Sequence, residues 1–78
     1  MSSRSVVSSL LNDIKKAQDS LRETARTYHL LEGLLPAESS SLHEALILIG
    51  DAYNRVKVIE NSLLYLIKHS LGERTTDN

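Results

Sequence analysis

Two heptad patterns, separated by a short connector that holds the chain's one proline, predict an all-α fold. The expected architecture is two long antiparallel helices, an αα-hairpin, completed into a helical bundle by self-association or by a partner helix. The second pattern is the firmer of the two. Across residues 42–71 it has no proline and one glycine, and its apolar residues recur in alternating steps of three and four.

Residues 1–5 read as a flexible, serine-rich N-terminal lead. The first helix is expected over about 6–35. Its seam is Val7, Leu10, Ile14, Ala17, Leu21, Thr24, Tyr28, Leu31 and Leu35, with small residues at Ala17 and Thr24 where a neighbour could approach closely. Gly33 is a candidate helix C-cap, and Pro36 disfavours a helical Leu35. The connector is then 36–41. Ser41 and Glu44 have the spacing of a capping box, which makes Ser41 the expected N-cap of the second helix. Pro36 could instead open a single turn before it.

The second helix is expected over about 42–71, with a seam of Leu42, Ala45, Ile49, Ala52, Val56, Ile59, Leu63 and Leu66. Leu46, Tyr53 and Ile67 widen that seam on one flank. Lys68 and His69 suit the negative end of the helix dipole, and Gly72 lies just beyond as a stop signal. Residues 72–78 read as a flexible C-terminal tail. Facing seam positions across the hairpin favours residue numbers that sum to about 80, which sets Tyr28 against Ala52 and Ala17 against Leu63. A slip of about one heptad is the competing register.

Composition narrows the function. The chain has 78 residues, no cysteine, no Phe and no Trp. A single core of this size supplies only roughly 3–5 kcal/mol, and neither a disulfide nor a thiolate metal site is there to reinforce it. Oligomerisation or docking on a partner remains. Nine basic and ten acidic residues leave a formal charge of −1. That balance argues against strong capture of nucleic acid or of an anionic membrane. The apolar runs are too short to span a bilayer, and the N-terminus lacks the continuous apolar segment of a secretory signal, so a soluble, cytoplasmic protein is expected.

Two helices cannot cover all the apolar residues present. The surplus marks a partner interface at Leu30, Leu34, Ile47, Leu48, Leu64 and Tyr65, with Leu11 also in excess. Gly50 is a place where a third helix could come close. The partner is another protein, through helix–helix packing, or a second copy in a homodimer. The alternative is a nucleic-acid-binding bundle that uses a basic stripe of Lys15, Arg22 and Arg26. Against it stand helically spaced acidic partners and the lack of a stacking aromatic on that face.

No catalytic residue, cofactor or metal site is expected. His29, His43 and His69 are scattered, although the first two could meet near the turn with Glu32 and Glu44. No nucleophile elbow or phosphate-binding glycine loop occurs. Ser39, Ser40 and Ser41 fit capping and turn chemistry. On architecture alone, with no shared sequence motif, the plan is similar to that of small hairpin co-chaperones of bacterial secretion systems.

Far-ultraviolet circular dichroism should report helix for more than about two thirds of the residues. A sheet-type spectrum would end this reading.

Overall fold

The computed structural model describes residues 2–71, and those residues form an all-α hairpin. Helix α1 runs Ser3–Leu34, a 3-10 turn occupies Pro36–Glu38, and helix α2 runs Ser39–Leu66. α2 passes directly into a π-helical turn, Ile67–Leu71, which carries Lys68 and His69 as its basic residues. The tail expected over 72–78, with the stop signal at Gly72, lies outside the described residues, as does Met1.

α1 starts at Ser3 rather than near residue 6. The cause is local: the Ser2 side chain accepts the Ser5 backbone N–H at 3.2 Å, so the serines expected as a lead-in supply a cap instead. At the other end, Gly33 is helical and no described residue has a positive φ, so it is not the C-cap. Leu35 leaves the helix at φ −128°, as the residue before a proline should, while its N–H still donates to the Leu31 carbonyl at 2.8 Å.

Pro36 then opens the turn, and the Glu38 N–H donates to the Leu35 carbonyl at 3.0 Å. The backbone is therefore already coiling when it reaches Ser39, where α2 begins. Glu38 precedes α2 without a side-chain cap bond, and Ser41 sits inside the first turn instead of capping it.

This turn corrects the register. Arg22 meets Tyr53, and Glu32 meets His43; each pair of residue numbers sums to 75, not about 80. Half of that sum falls between Ala37 and Glu38, inside the 3-10 turn. Reversal there, rather than near Ser40 as a sum of 80 requires, draws α2 back along α1.

Positions seven residues apart form columns along each helix. The columns that face one another are Val7, Ile14, Leu21, Tyr28 and Leu11, Gln18, Ala25, Glu32 on α1. On α2 they are Leu42, Ile49, Val56, Leu63 and Leu46, Tyr53, Glu60, Ile67. All sixteen are at least half-buried. One column of each expected seam is thus displaced away from the turn: Leu10, Ala17 and Thr24 on α1, and Ile59 and Leu66 on α2, are exposed, whereas Leu31, Ala45 and Ala52, nearer the turn, stay half-buried as expected. Leu11, expected as surplus, lies between the helices. On α2 the inward flank is Leu46, Tyr53, Glu60 and Ile67, the column that widens the expected seam. In an antiparallel pair the matching flanks share a side, so α1 must turn the same way. Gln18 and Glu32 come in with it.

The result is a single layer. The molecule is 14 Å across its shortest dimension, little more than the roughly 10–12 Å diameter of one helix. Among the described residues no hydrophobic side chain is fully buried; the one buried residue is Gln18, at 6% exposure. Its Nε2 has no hydrogen-bond partner in the protein. Continuing the register places Gln18 near the level of Val56, and Ile14 near that of Glu60, so the waist of the hairpin mixes polar and apolar groups.

An unpartnered buried amide opposes folding. Gln18→Leu should therefore raise stability by about 1 kcal/mol, read from the midpoint of urea unfolding. A lower midpoint would mean that the amide holds the waist together.

Candidate interaction faces

A one-layer hairpin has two broad faces, and this chain makes them chemically different. The first carries the columns Lys15, Arg22, His29 and His43, Gly50, Lys57, Leu64. Between the helices it holds an open groove of about 440 Å³, lined by residues that include Arg22, Ala25 and His29 of α1 and Leu46, Gly50 and Tyr53 of α2. Arg22 Nη2 donates to Tyr53 Oη at 2.8 Å. That hydrogen bond, with the charge interaction it brings, lifts the Arg22 pKa above the ordinary arginine value. The Arg22 guanidinium lies 5.7 Å from the centre of the Tyr53 ring, and Lys57 Nζ lies 6.0 Å from it. Two cations thus share one aromatic.

Toward the turn, Glu32 lies 3.5 Å from His29 and 4.0 Å from His43. The two histidines do approach one another, around one carboxylate. Among the described residues, no three His, Cys, Asp or Glu side chains gather as a metal-holding group.

The second broad face carries Leu10, Ala17, Thr24 and Leu31 from α1 with Ala45, Ala52, Ile59 and Leu66 from α2. None is charged. Val6, Leu34 and Leu48 border it, together with the charges Asp13 and Arg55. The threonines along it are polar in name more than in effect. Thr24 Oγ1 donates to the Ser20 carbonyl at 2.8 Å and Thr27 Oγ1 to the Glu23 carbonyl at 3.1 Å, so each hydroxyl is satisfied within its own helix. A shallow depression of about 250 Å³ lies here, lined by Thr24, Thr27, Tyr28 and Leu31.

The interface residues expected from sequence are all exposed, but they do not form one patch. Leu34, at 76% exposure, and Leu48, at 69%, border the uncharged face. Leu30, Tyr65 and Ile47 lie on the outer sides of their helices. Gly50 and Leu64 lie on the opposite, charged face. Tyr65 stacks against His69, with ring centroids 4.2 Å apart, and is a contact within its own helix end. Leu10, Ile59 and Leu66 join the exposed apolar set in their place. The sequence places these three in the interhelical seam; the structure turns the other flanking column inward and exposes them.

The expected basic stripe is partly engaged. Arg22 is bound to Tyr53, and Arg26 pairs with Glu23 at 2.7 Å. Lys15 sits on the charged face in the same column as Arg22. Along α2, Arg55 pairs with Asp51 at 3.2 Å and Lys57 with Glu60 at 3.7 Å. No helix among the described residues is long and apolar enough to cross a membrane.

A Cβ added at Gly50 would meet nothing within 4 Å. Gly50→Ala should therefore raise helix stability by about 1 kcal/mol, seen as a higher melting temperature at fixed protein concentration. A lower melting temperature would show that the glycine admits a close neighbour.

Comparison with known proteins finds no matching family model, no matching curated protein and no matching solved structure.

Proposed function

We propose that this chain works by protein–protein association through its uncharged broad face, as a small helical interaction module of the adaptor, assembly-factor or co-chaperone kind. One observation carries the reading: a single layer of two helices, with no fully buried hydrophobic residue among those described, leaves an uncharged face on which Leu10, Ala17, Thr24, Ile59 and Leu66 are exposed and Leu31, Ala45 and Ala52 half-buried. Leaving Leu- or Ile-sized side chains exposed forfeits roughly 1.5–3 kcal/mol each. A helical domain of this size has little stability to spare, so covering that face contributes to folding as well as to recognition.

The same geometry speaks for binding rather than chemistry. The open groove on the charged face has no nucleophile paired with a base, and its most organised contact, Arg22 to Tyr53, ties the two helices together. A nucleic-acid role would depend on Lys15, Arg22 and Arg26. Two of these already have partners within the chain, and no feature of the structure favours that role.

A benzophenone amino acid placed singly at Ile59 or Leu66, and for comparison at Lys15 or Lys57, tests the reading in the host cell. Irradiation should give discrete protein adducts, with a copy of the chain or with another protein, from positions 59 and 66 and few from 15 and 57. Adducts confined to the charged face, or none from either face, would overturn it.

A further inference from the structure

Resting on that reading, we propose that the uncharged face is covered by a second copy of this chain, related by a two-fold axis parallel to the helices, to give a four-helix bundle.

Surface area is the first ground. A compact monomer of 8.7 kDa exposes roughly 4,700 Å², whereas this chain exposes 6098 Å². The excess is roughly 1,400 Å² per chain. That excess is spread over both broad faces, and two chains that cover about half of it on each other bury roughly 1,400 Å² in total, within the range of a standard specific interface.

Self-complementarity is the second ground. A two-fold axis along the helices leaves every residue at its own height and lays α1 of one copy on α2 of the other. Heights follow from the register within the hairpin, where facing residue numbers sum to 75. Leu48, exposed and projecting from α2, therefore stands level with Thr27. That is the height of the depression lined by Thr24, Thr27, Tyr28 and Leu31. Knob and socket share one height and one face, so a single rotation seats Leu48 of each copy in the socket of the other. An isologous interface requires this match.

The rest of the face agrees. Ile59 comes level with Ala17, a large residue against a small one, and Leu66 comes beside Leu10. The two bordering charges meet neutral residues, Asp13 near Ser62 and Arg55 near Ser20, so no like charges are brought together.

Sedimentation equilibrium of the purified full chain at about 100 μM tests this, since association follows mass action. The expected mass is twice 8.7 kDa. Leu48→Glu and Thr24→Arg each alter an exposed position and should weaken self-association by about tenfold or more while circular dichroism stays helical. Lys57→Glu, on the charged face, should leave the dimer intact. A monomeric wild-type chain, any other stoichiometry, or a dimer that neither Leu48→Glu nor Thr24→Arg weakens would overturn the second copy. If the chain proves monomeric while benzophenone at Ile59 still captures a different protein, the second copy is excluded and the interaction reading stands. Absence of adducts at Ile59 and Leu66 alongside a dimer sensitive only to Lys57→Glu would overturn both.

Discussion

Everything in this hairpin depends on where the chain reverses. Pro36 cannot continue α1, and it holds Leu35 out of helical geometry. The 3-10 turn that follows hands the backbone to α2 within three residues. With the pivot at the middle of that turn, every later pairing is set, because two rigid helices have no other freedom to slide. The meeting of Arg22 with Tyr53 near the waist, and of Glu32 with His43 near the turn, are two readings of the same register.

A pair of helices in one layer meets along a line. Each contributes a strip two columns wide to the contact, and that strip stays within reach of water from both sides. This is why sixteen inward positions yield one buried residue, Gln18, and that one polar. The usual two-layer arrangement of a domain is missing a layer. The ion pairs do little to make up for it. They join residues of one helix, or histidines to Glu32, and are largely solvent-exposed.

The asymmetry between the broad faces is the ground for the proposed direction of association. On one face Arg22, Lys57 and Tyr53 form a cationic cluster across the groove. On the other, the threonines return their hydroxyls to their own helix and leave an uncharged surface. A partner on the first face would have to desolvate cations, whereas a partner on the second displaces water from methyl and methylene groups. That difference in cost is why the proposal places association on the uncharged face.

The sequence by itself determined the all-α class, the two long helices, their antiparallel return around Pro36, and the presence of more apolar surface than two helices can hide. Those conclusions rest on periodicity and on proline's geometry, both local properties of the chain. It also placed Val7, Ile14, Leu21 and Tyr28, and Leu42, Ile49, Val56 and Leu63, on the inner side. On α2 it named Leu46, Tyr53 and Ile67 as the flank that widens the seam; tertiary structure decided that this flank replaces Ile59 and Leu66 and that Leu11, Gln18, Ala25 and Glu32 join it from α1. Ala17 and Gln18 are adjacent in sequence and only about 100° apart around the helix, and both heptad choices satisfy the same period. On α2 the choice turns Leu46, Tyr53, Glu60 and Ile67 inward and leaves Ile59 and Leu66 in water. It was imposed on α1 through the antiparallel geometry, because matching flanks of the two helices lie on one side. That coupling between distant residues sends Gln18 inward and turns Leu10, Ile59 and Leu66 out to water.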